Sequence, residues 1–184
     1  MKPTEELSHE HQAILTMIEI LTALAGRLDA GAAVPAADLE SAVEFIRVFA
    51  DKCHHAKEEG HLFPEMEKAG IPRDHGPIGV MLAEHEEGRK HVAAMAGAIP
   101  DIGKADRKAA ATFAAAARAY GRLLAGHISK EDNILYPMAD ARLSPGQQSA
   151  LESSFAEVEK NIVGLGKHEE FHRLLERLAK TYLV

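Results

Sequence analysis

The chain has 184 residues, which is long enough to bury a substantial core within one domain. Its net charge is -7 and no stripe of lysine and arginine is evident, which argues against nucleic acid or an anionic membrane surface as a main partner. The single cysteine, Cys53, excludes an intramolecular disulfide and a cysteine-based zinc or iron–sulfur site. No stretch is apolar enough for a signal peptide or a membrane span, so we expect a cytoplasmic protein.

The first part of the chain has apolar residues at three- and four-residue steps, the pattern of the buried face of an amphipathic helix. A first helix follows this pattern from Leu7 to Leu28, with His11 on its buried stripe, and Gly31 ends it. A second helix begins after Pro35. Its stripe contains Leu39, Val43, Ile46, Ala50, His54, Glu58 and Leu62.

Glycine and proline in residues 70–76 separate the second helix from a third. Pro77 opens the third helix, and Pro100, Asp101 and Gly103 end it. Its stripe contains Met81, His85, Arg89, Val92 and Ala96. An alanine-rich fourth helix starts near Lys104 and carries along one face Phe113, Ala116, Tyr120, Leu124, His127, Glu131, Ile134 and Met138.

Residues 144–184 predict two further helices. Ser144 and Gln147 form the pattern of a capping box that starts one helix, which runs to about Val163. The last helix starts near His168 and contains a second histidine, His172, which we expect on a solvated face. No alternation typical of strands occurs, so the prediction is an all-α protein. We expect residues 1–143 to form the main domain and residues 144–184 a helical extension packed on it.

A pattern of residues occurs twice in the chain. The segment His54 to Pro64 matches the segment His127 to Pro137 at an offset of 73 residues, with histidine, glutamate, an aliphatic–aromatic pair and proline in equivalent places. The dipeptide Glu10-His11 likewise returns as Glu84-His85. The chain therefore consists of two related units, each with one helix that carries a single histidine and one that carries His-x-x-x-Glu.

The repeated residues have the spacing of metal ligands. Histidine and glutamate four residues apart project from the same face of a helix. A single buried histidine is usually a hydrogen-bonded core residue, but no packing rule requires His-x-x-x-Glu twice at one register. A buried carboxylate is costly without a compensating charge, which a pair of metal ions supplies. The donors suit iron, manganese or zinc. They are His11, His54, Glu58, His85, His127 and Glu131.

These motifs, with the Leu-Phe-Pro and Leu-Tyr-Pro endings and the sequence Glu-His-Glu-Glu-Gly-Arg at 84–89, resemble the hemerythrin-like HHE cation-binding proteins. The resemblance covers about residues 7–140. It implies an up-and-down four-helix bundle around two non-haem iron ions with an oxo or hydroxo bridge. It also implies that the six donors are the ligands and that Glu58 and Glu131 bridge the irons.

The chain departs from the oxygen-carrying branch of that family at two places. Arg89 stands where that branch has a second histidine on the third helix, and Glu131 follows His127 by four residues where that branch has an aspartate five residues on. One imidazole is lost, which leaves an iron with an open or water-filled position. We therefore expect reaction with oxygen, peroxide or nitric oxide, or iron handling, and not simple reversible oxygen transport.

Further side chains lie near the predicted ligands. We expect Tyr120, Arg89 and His61 to lie next to the metal ligands and to contact them without binding the metal. For Tyr120 two alternatives remain, a residue of the hydrophobic core or a metal ligand. His55 is turned away from the ligand stripe, and we expect it in a surface or interhelical contact. Gly88, beside a ligand, either leaves room for a diatomic molecule or allows close helix packing. No catalytic residue is assigned.

Three functions remain open at this point. The first is a di-iron protein that binds or reduces a small oxidant. The second is an iron store or donor for the repair of damaged iron centres, which the absence of a cysteine-bearing domain disfavours. The third is a metal-dependent sensing or structural module in which residues 144–184 contact a protein partner. A homodimer is compatible with all three.

Overall fold

The computed structural model describes residues 1–163 and 166–183, and within these ranges the regular structure is helical without any strand. The all-α prediction is therefore confirmed. The α-helices are α1 (Pro3–Asp29), α2 (Ala36–Phe45), α3 (Phe63–Lys68), α4 (Pro77–Ile102), α5 (Arg107–Lys130), α6 (Tyr136–Arg142), α7 (Pro145–Val158) and α8 (Lys167–Tyr182). Between some of these α-helices the chain forms π-helical segments, at Ile46–His55, Glu58–Leu62, Glu131–Leu135 and Glu159–Val163.

One predicted helix boundary is shifted in the structure and another agrees with it. The helix expected from Lys104 begins at Arg107, because the side chain of Asp106 accepts hydrogen bonds from the backbone N–H groups of Lys108 and Ala109 and so caps this helix. The third predicted helix ends where expected: α4 includes Pro100, continues to Ile102 and has Gly103 as its C-cap.

The π-helical segment Glu131–Leu135 changes which residues after it face the core. Ile134 and Met138, predicted to be buried, are 54% and 36% exposed. Leu135, Tyr136 and Ala139 are buried in their place. A π-helical turn closes i→i+5 hydrogen bonds and so contains an additional residue, which advances the buried stripe by one position. This shift brings Tyr136 into the interior.

Two hydrophobic clusters form the core. The larger one extends along α1, α2, α4 and α5 and includes Phe171 and Leu178 of α8. The smaller one lies at the other end of the same helices and includes Leu7 of α1 together with Leu151 and Phe155 of α7. Along each long helix the predicted metal donors lie between residues of these two clusters. A polar layer therefore crosses an otherwise apolar interior.

The last helix is attached through a buried aspartate. Asp38 accepts hydrogen bonds from the Tyr182 hydroxyl (2.6 Å) and the Arg177 guanidinium (2.8 Å). Burial would raise the pKa of Asp38, but these two bonds outweigh it and hold that pKa below its ordinary value.

Across residues 1–163 and 166–183, none of the helices combines the length and the apolar surface that a bilayer crossing requires.

Replacement of Tyr182 by phenylalanine is expected to lower the free energy of unfolding by about 1 kcal/mol, because Asp38 loses a buried hydrogen bond. Urea unfolding followed by circular dichroism measures this. The effect should be present at neutral pH and shrink below about pH 4, where the carboxyl becomes protonated. Thr181→Ala, at an exposed neighbour, should have little effect, and equal losses in the two variants would contradict this role of Asp38.

Candidate metal centre

All six predicted donors lie together in the polar layer between the two hydrophobic clusters. Each has at most 1% of its side chain exposed. Helix α1 supplies one histidine, the segments that follow α2 supply a histidine and a glutamate, and α4, α5 and the segment after α5 supply the rest. In that order they are His11, His54, Glu58, His85, His127 and Glu131.

The four histidines form two pairs with the carboxylates between them. The Nε2 atoms of His11 and His54 are 3.1 Å apart, and those of His85 and His127 are 3.0 Å apart. One oxygen of Glu131 lies 3.2 Å from His11 Nε2 and the other lies 3.0 Å from His127 Nε2. This carboxylate thus spans both pairs.

Glu58 occupies the corresponding place on the other side. Its Oε2 atom lies 3.4 Å from the Nε2 of His85 and 3.8 Å from that of His54. Each carboxylate therefore faces one imidazole from either pair, which is the placement expected of a ligand that bridges two ions.

An outer set of carboxylates fixes the orientation of the imidazoles. The Nδ1 atom of each histidine lies 2.7–2.9 Å from a carboxylate oxygen. In a neutral histidine this bond places the proton on Nδ1 and leaves Nε2 with a free lone pair, which is the tautomer that binds a metal ion. The pairs are His11–Asp132, His54–Glu10, His85–Glu59 and His127–Glu84.

The inner donor atoms fit cations and are poorly satisfied by the protein alone. Within the described residues, Glu58 Oε2 and both oxygens of Glu131 have no hydrogen-bond partner. Burial, with the adjacent charge of Glu131, raises the pKa of Glu58 well above its ordinary value. Burial also opposes ionisation of Glu131, but the imidazoles of His11 and His127 outweigh it and lower the pKa of that carboxyl. Two cations would compensate both carboxylates and accept all four lone pairs.

The internal repeat includes the outer groups as well as the donors. Glu59, which orients His85, is 73 residues before Asp132, which orients His11. Lys57 and Lys130 have the same offset and bind the two remaining outer carboxylates, Glu10 and Glu84. Each half of the centre thus has the same construction, from donor to orienting carboxylate to lysine.

Lys57 also connects the centre to the C-terminal extension. Its ammonium is fully buried and donates to Glu6 (2.7 Å), Glu10 (2.6 Å) and Glu159 (2.8 Å). Burial would lower the pKa of Lys57, but these carboxylates raise it above its ordinary value. Glu10, Glu159 and Cys53 lie close enough to hold a metal ion. The lysine already supplies the cation that this group needs.

His55 is the main residue that the sequence analysis missed. The expectation that it is turned away from the donors is wrong: its side chain is buried, stacks on His85 with ring centroids 3.9 Å apart, and lies with His85, His127 and Glu58 in one potential metal-binding group. The π-helical segment Ile46–His55 turns two successive histidines inwards. The equivalent residue in the second half is Ile128, so this fifth imidazole is not repeated.

Tyr136 is the second residue that was missed. Its hydroxyl donates a 2.8 Å hydrogen bond to Glu58 Oε1 and lies 3.4 Å from His11 Nε2, and its ring stacks on His11. The equivalent residue, Phe63, stacks on His85 and has no hydroxyl. The matching Leu-Tyr-Pro and Leu-Phe-Pro endings were the signal that could have identified this position.

Arg89 lies at the side of the centre and not inside it. Its guanidinium donates to Asp51 (2.7 Å), Glu59 (2.7 Å) and Glu86 (2.6 Å). Because Glu59 also binds His85 Nδ1, Arg89 acts on a donor through one intervening carboxylate.

The other predicted neighbours lie further away. Tyr120 is buried, and its hydroxyl has no hydrogen-bond partner within the described residues. His61 packs edge-on against Phe155 of α7 and does not reach the donors. The side chain of His168 lies outside the described residues, so the predicted His168/His172 pair has no structural description.

Comparisons with known proteins agree with this geometry. The family model of the hemerythrin HHE cation binding domain matches residues 2–139. Uncharacterized proteins of Mycobacterium bovis and Mycobacterium tuberculosis are 27% identical to the chain over 160 residues. The alignment covers 87% of this chain, which spans only 62% of the length of these relatives. No solved structure matches the chain. Because the family model matches about three quarters of its length, the chain belongs to the hemerythrin family of HHE cation-binding domains.

Proposed function

We propose that the chain holds two iron ions and uses them to bind or reduce a small oxidant such as oxygen, peroxide or nitric oxide. One ion is bound by His11 and His54, and the other by His85 and His127. Glu58 and Glu131 bridge them. The convergence of four imidazole Nε2 atoms and three carboxylate oxygens without a hydrogen-bond partner in a buried layer of the described residues supports this assignment. Mixed imidazole and carboxylate donors suit iron, with zinc and manganese as alternatives.

We propose that His55 completes the donor set as a fifth imidazole. It lies in one group with His85, His127 and Glu58, so the second ion has three imidazoles and the first has two. His55 thus supplies the imidazole that is missing from the third predicted helix, where the chain has Arg89.

We further propose that residues 1–143 form an up-and-down four-helix bundle around the ions and that residues 144–184 form an extension packed on it. Support comes from the distribution of the donors, which lie on α1, on the helix that continues from α2, on α4 and on the helix that continues from α5. Contacts of α7 and α8 with α1 fit the same arrangement.

The observation that carries the redox function is the hydroxyl of Tyr136 on a bridging carboxylate. A purely structural metal site has no need of a phenol, whereas reduction of an oxidant consumes protons. The two iron ions, when bound, supply electrons and coordination positions for the oxidant. Tyr136 holds a proton 2.8 Å from Glu58 Oε1, where a bound molecule can receive it, and the flanking hydrophobic clusters exclude bulk water.

A direct test loads the purified protein with ferrous iron without air and mixes it with oxygen, hydrogen peroxide or nitric oxide. Stopped-flow absorption should show a spectral change with at least one of these within seconds, and protein loaded with redox-inert zinc should show none. Absence of any change with all three oxidants would contradict the proposed function.

A sensing function is the second candidate, and one contact favours it. Lys57 joins Glu159 of the C-terminal extension to Glu10, which orients His54. A change at the metal can therefore reach the extension through three hydrogen bonds, His54 to Glu10, Glu10 to Lys57 and Lys57 to Glu159. The iron-donor alternative gains no such support, because the donors are buried and a labile ion needs an exit.

Glu58→Gln is expected to reduce the metal content by at least one ion per chain, because the amide binds a cation far more weakly than a carboxylate. Elemental analysis of protein purified in excess metal measures this. Without metal, the variant should unfold at higher temperature than the unmodified chain at neutral pH, because an amide needs neither the proton uptake nor the buried charge that Glu58, with its raised pKa, requires. Glu19→Gln, at an exposed position, is the control. Two fully bound ions in Glu58→Gln would refute the assignment.

His55→Ile copies the residue that the repeat has at Ile128 and is expected to fold normally. One of the two ions should bind about tenfold more weakly or worse, because that ion loses an imidazole. Competition with a chromogenic chelator measures the two affinities, with His9→Ile as an exposed control. Unchanged affinities for both ions would exclude His55 as a ligand.

Tyr136→Phe copies the equivalent residue Phe63 and removes only the hydroxyl. The metal content should stay unchanged, whereas the rate of reaction of the ferrous protein with peroxide should fall about 100-fold through loss of the proton donor. The stopped-flow assay described above provides the rate. An unchanged rate would show that the hydroxyl does not take part.

A further inference from the structure

A small cavity opens on the side of the molecule next to the metal centre. Its volume is about 200 Å³, and it lies between the segment Ile46–His55 and helices α4 and α5. Asp51 and His55 line it from the first of these, Gly88 and Arg89 from α4, and Tyr120 from α5. His55 belongs both to this lining and to the group of metal donors. The cavity therefore reaches the centre at one imidazole.

Two polar atoms in the lining are buried without a partner. The Tyr120 hydroxyl and His55 Nε2 have no hydrogen bond within the described residues, and the two side chains are 1% and 4% exposed. Buried polar groups of native proteins nearly always have partners. The metal accounts for His55. Nothing among the described side chains accounts for Tyr120, so a molecule in the cavity is the natural acceptor for its hydroxyl.

The charges of the lining indicate what kind of molecule fits. Arg89 donates to Asp51, Glu59 and Glu86, so its charge is already balanced and it is not free to bind an anion. Asp51 adds an acceptor that disfavours anions further. Burial, together with the charge of Asp51, raises the pKa of Tyr120 above its ordinary value, so its hydroxyl remains a donor. The cavity thus offers the Tyr120 hydroxyl as donor and the Asp51 carboxylate as acceptor, and the exposed Arg47 also lines it.

His55 has a longer hydrogen bond from its Nδ1 atom than the four donor histidines have. Its Nδ1 atom lies 3.4 Å from Asp51, whereas the other four Nδ1 atoms lie 2.7–2.9 Å from their carboxylates. Asp51 also shares its oxygen with Arg89. His55, proposed above as a metal donor, therefore has the longest outer hydrogen bond of the five imidazoles, and the cavity meets the donor group beside it.

We propose that this cavity binds a small uncharged oxidant of the hydrogen peroxide class before it reaches the metal, with Tyr120 as donor and Asp51 as acceptor. Binding of peroxide in the cavity does not depend on the proposed function. Only its later reaction at the metal rests on that function. Hydrogen peroxide both donates and accepts hydrogen bonds and is small enough for the available volume.

The test uses the full chain loaded with zinc, which cannot be oxidised by the probe, and follows backbone amide NMR signals during titration with hydrogen peroxide. Saturable shifts should appear at Gly88, Val92 and Tyr120. In Tyr120→Phe the dissociation constant should rise at least tenfold. Tyr182→Phe, which removes a distant hydroxyl, should bind as the unmodified chain does. Shifts that are absent from these residues, or equal affinities in all three proteins, would overturn the proposal.

A second variant narrows the cavity without removing a polar group. A Cβ atom at Gly88 would lie 3.5 Å from Leu124 and 3.6 Å from Tyr120, which is ordinary contact, so Gly88→Ala should fold well. It should also weaken peroxide binding. In the iron-loaded protein, both Tyr120→Phe and Gly88→Ala should slow the bimolecular reaction with peroxide while the metal content stays unchanged.

The cavity and the proposed function can fail separately. If iron-loaded Tyr120→Phe reacts with peroxide at the unmodified rate, and the zinc-loaded chain shows no shifts at the cavity, the cavity inference is wrong and the redox function stands. If the zinc-loaded chain binds peroxide at the cavity but the iron-loaded chain reacts with no oxidant, the redox function is wrong and the binding site stands.

Discussion

The structure depends on the convergence of four imidazole nitrogens and two carboxylates inside a dry protein interior. The paired Nε2 atoms are 3.0–3.1 Å apart, and each Nδ1 atom faces an outer carboxylate, so when the imidazoles are neutral with the proton on Nδ1 the facing lone pairs gain nothing from each other. Glu131 is buried in the same layer with a lowered pKa, and its charge together with burial raises the pKa of Glu58, which must be protonated or carry a like charge there. Such an arrangement is unfavourable without cations and favourable with them, which links metal binding to the stability of the fold.

The groups around the donors explain how the chain holds this layer in place. Each imidazole is oriented by a carboxylate, and two of these carboxylates are held by lysines that the internal repeat places at equivalent positions. The two halves differ in two side chains next to the donors. One half has the phenol of Tyr136, and the other has the additional imidazole of His55. The two halves share one arrangement of donors, and these two departures from the repeat give the two pairs of histidines different surroundings.

Much of this could be predicted from the sequence, because an amphipathic stripe records which residues face inwards. The stripes placed all six donors in the interior, and the buried residues of α1 agree with the predicted periodicity. The stripes failed after the π-helical segments. His55 and Tyr136 are buried, and Ile134 is exposed, because each π-helical turn adds a residue that a period of 3.6 does not contain. Three of the four π-helical segments in the described residues contain donors, which come together from residues far apart in sequence and so leave no local pattern.

The most direct test of this account is a crystal structure of the metal-loaded protein with anomalous scattering measured at the absorption edge of the bound metal. The account predicts two peaks about 3.5–4 Å apart. One should lie within bonding distance of His11 and His54, and the other within bonding distance of His85 and His127. A single peak, or none within reach of Glu58 and Glu131, would contradict the central claim that this buried layer exists to hold a pair of cations.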